Sequence, residues 1–328
     1  MNVVTLNGQA RAAEKKMNHI KSRLLVLIAI SGMTVSSAFA DGVGASGFVD
    51  VQLGWDNTND YTGTAVADGA LYFSKTLGNG EVKLDLPFAI NNADTAQLDV
   101  GVESDGIVAA PARYTGQAYV AYKYESGLRW KIGQWDTSFG YELNDSADLF
   151  FTDYGLLWNR NPVVHQGALV GYDLNSEMGL NFYAAAPSNA GTLLGSVAKD
   201  DLQFGAQFTY AGAIRLATGL LMTDADNMYF DLVVGKDIGS LVLDVEANGL
   251  KVAGGDMTIG VLAHAVYNLS ETTALGLRFE HETTGDGQTQ LAVGPRFAMS
   301  KDLNVKFEYL NNFTNEVQSL TVSAVHRF

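Results

Sequence analysis

Apolar and polar side chains alternate in short stretches that recur at intervals of roughly 15 to 20 residues from residue 41 to the end of the chain. In one of the clearest, Leu128, Trp130 and Ile132 occupy one face, and Arg129 and Lys131 the other. The same scheme appears in Glu81–Leu86, Leu241–Glu246, Leu275–Glu280 and Leu303–Tyr309. Successive side chains of a β-strand point to opposite faces, so the pattern predicts a sheet with one apolar and one charged face.

The rhythm of the turns distinguishes a membrane barrel from a soluble β-sandwich, which also alternates. Every second connection is a tight turn, such as Gly78–Gly80 or Ser126–Gly127. The connections between these turns are mostly longer, especially 91–114, 136–164 and 188–201. We predict about sixteen strands, at 46–57, 65–76, 80–90, 115–125, 127–135, 165–174, 177–187, 202–211, 212–221, 227–236, 240–249, 257–268, 273–282, 288–298, 302–310 and 317–328. This pattern predicts an all-β chain, a transmembrane antiparallel up-and-down β-barrel with short periplasmic turns and longer extracellular loops, formed by residues 41–328 as one domain.

Residues 1–40 have the pattern of a cleaved signal peptide. Lys21 and Arg23 precede the apolar run Leu24–Ile30, and Ala38-Phe39-Ala40 has the small-x-small form of a cleavage site. The run is shorter than the roughly 20 apolar residues of a membrane-spanning helix, and no comparable run occurs later in the sequence, so a helical membrane protein is excluded. We expect cleavage after Ala40 and export through the Sec pathway to a Gram-negative outer membrane. Residues 1–16 are either an extension of the signal or a mis-assigned start, since Met17 follows them.

The net charge of the chain indicates which kinds of partner it can bind. The chain has 21 Lys and Arg and 36 Asp and Glu, and residues 1–40 hold five of these bases and one acid, which leaves 16 bases, 35 acids and a formal charge of −19 after cleavage. Such acidity argues against nucleic acid as a partner and favours cations. Cysteine is absent, which excludes disulfides and thiolate metal sites. We expect no cofactor and no metal.

The run from Tyr122 to Leu174 resembles the OmpL-like "porin-2" family of β-barrel porins. The family pattern has a strand ending in G-x-F/W-D/x-T-x-F-G-x-E, followed by P-x-x-H-x-G at the start of the next strand. The matching residues are Gly133, Trp135, Thr137, Phe139, Gly140, Glu142, Pro162, His165 and Gly167. The resemblance implies a water-filled channel for passive diffusion of small hydrophilic solutes and ions.

The connection 136–164 is the best candidate for a constriction loop. It follows the fifth strand, is the longest predicted connection, and contains the acids Asp136, Glu142, Asp145, Asp148 and Asp153. The polar faces of the strands could present opposing bases, namely Lys83, Arg129, Lys131, Arg278, Arg296 and Lys306. Opposed acids and bases would create a transverse field across the pore. The alternatives are an exposed loop and bases that merely pair with inward acids as a structural lattice.

Inward acids outnumber inward bases, which predicts a mild preference for cations. They are Asp50, Asp85, Asp231, Asp244, Glu246, Glu280, Glu282 and Glu308. Aromatic residues at or near outward positions are expected to form girdles at the lipid interfaces; they are Trp55, Tyr124, Trp130, Trp135, Phe279, Phe297, Phe307, Tyr309 and Phe328. Phe150, Phe151, Tyr154 and Trp158 are interpreted as loop packing, with an aromatic slide for sugars as the alternative.

Two other classes of function remain as alternatives: a non-conducting structural or adhesive barrel and a hydrolase at the barrel rim. Strand alternation separates His281 from Glu280 and Glu282, so these three cannot bind one metal, and His264 is expected to be interfacial or packed. The terminal Phe328 is the expected signal for the barrel assembly machinery. We expect the barrel to lie in outer-membrane lipid, and the analogy with sixteen-strand porins predicts a homotrimer.

Overall fold

The computed structural model describes residues 42–57, 63–87, 116–187, 202–222 and 227–328. They form sixteen antiparallel strands, and the first strand pairs with the last, which closes the sheet into a barrel. The strands are β1 Val43–Asp56, β2 Gly63–Leu77, β3 Gly80–Pro87, β4 Ala118–Lys123, β5 Leu128–Asp136, β6 Val164–Asp173, β7 Met178–Pro187, β8 Gln203–Ala211, β9 Arg215–Met222, β10 Met228–Ile238, β11 Leu241–Lys251, β12 Thr258–Asn268, β13 Thr273–Glu282, β14 Gln288–Ala298, β15 Leu303–Asn312 and β16 Val317–Arg327. The predicted all-β up-and-down barrel is confirmed.

Strand β13 shows how the alternating sequence builds the wall. The outward side chain of Phe279 is 41% exposed, whereas the neighbouring Arg278 is 2% exposed and faces the interior. The barrel therefore presents its apolar face outward and its charged face inward, the reverse of a soluble protein. An outer surface of this kind matches lipid, and closure leaves no unpaired strand edge in the membrane.

One sequence-based expectation about the faces of the strands is wrong, and one about the connections falls on residues that are not described. The predicted end of the third strand at residue 90 and the predicted connection 91–114 lie outside the described residues, which stop at Pro87 and resume at Gly116. Trp135 lies inside the barrel, where it is 2% exposed and packs against His165 with ring centroids 5.9 Å apart. It has the same parity along β5 as the inward Arg129 and Lys131, and parity decides the face whatever the size of the side chain.

Two short 3-10 helices, Ser146–Asp148 and Leu157–Arg160, lie between β5 and β6. No helix among the described residues is long and apolar enough to cross a membrane.

Candidate functional site

Residues 137–163, here called the third loop, lie inside the barrel. Near its start, the Ser138 hydroxyl donates to the side-chain oxygen of Gln207 on β8 at 3.0 Å. Further along, the Tyr141 hydroxyl lies 2.6 Å from Nδ1 of His264 on β12. Later still, Asp153 accepts from the Thr321 hydroxyl on β16 at 3.2 Å. These partners come from different parts of the wall, so the loop crosses the lumen.

The entry to the third loop is built from residues of the sequence pattern described above. Thr137 donates its backbone N–H to the carbonyl of Val163 at 2.9 Å, which closes the neck of the loop. Its hydroxyl lies 3.1 Å from Nε2 of His165 on β6. Phe139 is buried, with its ring 5.4 Å from Tyr183 and 5.9 Å from Tyr229. The pattern therefore encodes the turn that sends the chain into the lumen.

Gly140 occupies a position that only glycine fits. Its φ is +86°, and an added Cβ would lie 2.0 Å from Nδ2 of Asn161 on the returning half of the loop. Its N–H donates to Asp231 on β10 at 2.8 Å. A side chain here would incur left-handed backbone strain and displace Asn161.

Carboxylates of the wall hold the loop by its backbone. Asp231 accepts from Gly140, Glu246 from Tyr141 and Glu280 from Leu157, at 2.8, 2.8 and 3.3 Å. Glu308 accepts from both Thr152 and Asp153, at 2.9 and 2.8 Å, and Asp68 accepts from Ser146 at 3.0 Å. Hydrogen bonds to a charged acceptor are the stronger kind. Much of the inward negative charge thus binds the third loop, which alternation alone did not reveal.

Arg278 on β13 is the centre of a buried ion cluster. Its Nη1 lies 2.6 Å from Glu142 of the third loop and donates to the carbonyl of Asp153 at 2.9 Å. Its Nη2 lies 3.2 Å from Glu308, and its Nε lies 3.1 Å from Glu280 without the geometry of a hydrogen bond. Burial raises the pKa of Glu142 to about 7, and the Arg278 charge opposes that shift. Burial also raises the pKa of Asp153 to about 6, and the Glu308 charge adds to it.

Two further bases fix the loop at other points. Arg160, near the loop's end, is fully buried and contacts Glu282 at 3.1 Å and Asn248 at 2.8 Å. Lys306 on β15 donates to the carbonyl of Ser146 at 2.6 Å. Arg160 was missed in the sequence because one arginine in a loop carries no signal of burial.

The five acids proposed from the sequence have separate partners. Glu142 pairs with Arg278, Asp145 accepts from the Tyr72 hydroxyl at 2.6 Å, Asp148 pairs with Arg327, and Asp153 accepts from Thr321. Asp136 ends β5 and accepts from Asn144 at 2.9 Å. Burial raises the pKa of Asp145.

The six proposed bases fall into two groups. Arg278 and Lys306 are bound to the third loop, and the guanidinium of Arg296 lies 4.8 Å from the centre of the Phe150 ring. On the wall of β3 to β5, Lys83 pairs with Asp85 at 3.2 Å, and Arg129 pairs with Asp173. Lys131 lies 4.2 Å from the centre of the Tyr119 ring.

The wall of β3 to β5 borders an open cavity of about 790 Å³. Asn79 and Glu125, in short turns, line one end of it, and Ser138, at the start of the third loop, lines the other. Lys131 and Asp136 lie along its side. This cavity is water-accessible space that remains beside the loop.

The remaining residues considered for solute contact, catalysis or metal binding are packed against other side chains or lie apart from one another. His264 is buried against Tyr141, Phe150 and Phe151, and Trp158 stacks on Tyr154 with ring centroids 4.6 Å apart. These contacts agree with the interpretation as packing. In the part of the chain that the structure describes, no group of three or more His, Cys, Asp or Glu is arranged to hold a metal ion.

Comparison with known proteins gives one family. Residues 42–314 match the model of the family described as "Putative beta-barrel porin-2, OmpL-like". No curated protein matches the chain.

Solved structures with the same fold cover 87% of the chain at low sequence identity. OmpF of Salmonella typhi, in complex with daunomycin, has a TM-score of 0.63 at 11% identity, with 97% of its own chain covered. OmpT of Vibrio cholerae, in its trimer form, has a TM-score of 0.57 at 13% identity, with 99% of its own chain covered. A triple mutant of the Rhodopseudomonas blastica porin has a TM-score of 0.55 at 12% identity, with 100% of its own chain covered. At such identities the likeness establishes the fold.

Proposed function

Since the chain belongs to the OmpL-like β-barrel porin-2 family and is an outer-membrane porin by family and fold, we propose that it is a passive diffusion channel for small hydrophilic solutes and ions, constricted by its third loop. The observation that carries the proposal is the position of residues 137–163 inside a closed barrel, beside a cavity of about 790 Å³. A loop fastened across the lumen narrows the path, and the cavity leaves room for small solutes. The proposed role is transport without catalysis.

The fastening of the loop supports a permanent constriction. Arg278, Arg160 and Lys306 are buried and each contacts the third loop or belongs to it. Breaking such contacts would leave buried charges without partners, which costs several kcal/mol. The loop therefore has a fixed position, and the pore size is a property of the folded barrel.

We propose a mild cation preference. The charges that line the cavity balance, with the acids Glu81, Glu125 and Asp136 and the bases Lys123, Arg129 and Lys131. Asp173, which pairs with Lys123 and Arg129, adds one acid beside the cavity. Most of the inward acids found in the sequence are bound to the third loop or to other residues of the wall. They therefore contribute less to the ion selectivity. The support for cation preference is Asp173 beside the cavity and the formal charge of −19 on residues 41–328, which hold 16 bases and 35 acids.

The sign of the reversal potential tests the selectivity. In a planar bilayer with a KCl gradient, we expect a reversal potential of the sign given by K⁺ preference, reduced in Glu81→Gln/Asp136→Asn because two acids of the cavity are neutralised. Asp286→Asn, an exposed acid beyond β13, is the matched control and should leave the potential unchanged. A potential of the opposite sign in the unmodified protein would contradict the cation preference.

Export, assembly and oligomer are further parts of the proposal. The signal-like residues 1–40 support Sec-dependent export to a Gram-negative outer membrane, and Phe328 supports recognition by the barrel assembly machinery. The trimer form of the Vibrio cholerae OmpT structure supports a homotrimer.

A further inference from the structure

A small cavity adjoins the larger one where the third loop meets the wall of β2 to β4. Its volume is about 20 Å³, which suffices for one water-sized group. The carboxylates of Asp68, Asp85, Asp136 and Asp145 line it, together with Asn144. Asp136 lines the large cavity as well, so the small cavity lies beside the proposed solute path.

The hydrogen-bond donors around this cavity serve only some of its oxygens. Asp85 accepts from Gln117 at 2.8 Å and pairs with Lys83 at 3.2 Å, and both contacts are to Oδ2. Its Oδ1 is buried and has no hydrogen-bond partner among the described residues, in a side chain only 6% exposed. Asn144 donates its Nδ2 to Asp136 at 2.9 Å, which fixes its amide, and its buried Oδ1 also lacks a described partner. Two residues of this water-sized cavity thus each carry a buried acceptor without a described partner.

The charge of the cluster is not balanced by the bases in contact with it. Lys83, bonded to Asp85, is the one base in an ion pair with these four acids in the described part of the chain. Arg327 lies close enough to act on Asp145, but its guanidinium is bonded to Asp148, which itself adds repulsion. Asp68 accepts from the backbone of Gly69 and Ser146, which brings no full charge. The cavity therefore favours a cation with hydrogen-bond donors.

We propose that this cavity binds the primary ammonium group of a small organic amine passing through the channel. An ammonium has three donors, no acceptor and about the size of a water molecule, which matches a space lined by acceptors. A water molecule would bring no positive charge, and a metal ion would need more converging ligands than the described residues provide. The body of the amine would extend past Asp136 into the larger cavity. This inference rests on the proposed function and names a class of solute for it.

A pair of alkylammonium ions tests the proposal in a planar bilayer. Butylammonium and butyltrimethylammonium have the same charge and chain, but only the first has N–H donors and a head that fits the cavity. We expect butylammonium to block the KCl current at lower concentration than butyltrimethylammonium. In Asp85→Asn and in Asn144→Ala, we expect the blocking concentration of butylammonium to rise about tenfold, the loss expected for one hydrogen bond to a charged group. Asp256→Asn, in the exposed turn after β11, is the control.

A second measurement keeps the outcome independent of conduction. Saturation-transfer NMR of butylammonium with the folded barrel in detergent should show binding that Asp85→Asn and Asn144→Ala weaken, with folding of each variant checked by circular dichroism. If the barrel conducts but the two ammonium ions act alike, the ammonium site is overturned and the pore stands. If the barrel does not conduct, the proposed pore is overturned, and the NMR measurement tests the ammonium site by itself. Weaker butylammonium binding in both variants would support the site, and unchanged binding would overturn it.

Discussion

Replacing Arg278 with methionine is expected to detach the third loop from β13 and β15 and to lower the free energy of unfolding by about 3 to 5 kcal/mol. The guanidinium contacts Glu142, Glu280 and Glu308, all of them buried. Without it, the three carboxylates would repel one another in a space from which water is excluded. Denaturant unfolding of the barrel in lipid vesicles measures the loss, and single-channel recordings should show larger current fluctuations as the loop moves.

Arg215→Met is the matched control for the Arg278 variant. Arg215 also contacts two acids, Asp237 and Asp244, but its side chain is 45% exposed. The exposed pair with Asp237 contributes about 1 kcal/mol or less. The partner Asp244 is buried, so its pair contributes more, but Arg215 itself is solvated and does not contact the third loop. This variant should therefore lose less free energy of unfolding than Arg278→Met and conduct with a steady current. Equal losses in the two arginine variants would show that the buried cluster does not hold the loop.

The second large effect is expected from Gly140→Ala. The φ of +86° costs an alanine about 1 to 2 kcal/mol, and the new Cβ would clash with Asn161. To relieve the clash, either the Asn161 side chain or the backbone at residue 140 must move, and a backbone shift would disturb the hydrogen bond from its N–H to Asp231. We expect a lower unfolding midpoint in denaturant and an unsteady conductance, because the entry of the third loop is displaced.

Gly254→Ala separates the backbone strain from the clash. Gly254 has a similar φ of +79°, and an added Cβ would meet no atom within 4 Å. This variant should show the strain alone, with a small change in unfolding and an unchanged current. If Gly140→Ala also shows only a small change in unfolding and an unchanged current, the close packing of residue 140 against Asn161 does not position the third loop.

The sequence predicts the barrel well because a two-residue period and a closed sheet leave few alternatives. The inward position of Arg278 and the outward position of Phe279 follow from parity alone. Trp135 obeys the same rule, so its parity places it inside the barrel and its predicted place in the outer girdle is wrong.

The partners of the third loop could not be predicted in the same way. Glu246 and Tyr141 are far apart in sequence, and their contact depends on where the loop crosses the lumen. No periodicity encodes the distance between Arg160 and Glu282, or the orphan oxygen of Asp85. Gly140 and Glu142 belong to the sequence pattern, but their contacts with Asp231 and Arg278 follow from the position of the loop and not from the pattern.

Single-channel conductance with and without the third loop tests the central claim most directly. The variant lacks residues 143–158, with a short Gly-Ser linker between Glu142 and Asn159, and leaves all sixteen strands intact. If the third loop constricts a diffusion channel, the unmodified protein conducts and the deletion variant has a severalfold higher conductance. Without the loop, the lumen of a sixteen-strand barrel is open and has roughly the width of a general porin channel. Equal conductance of the two proteins, or no conductance in either, would contradict the account.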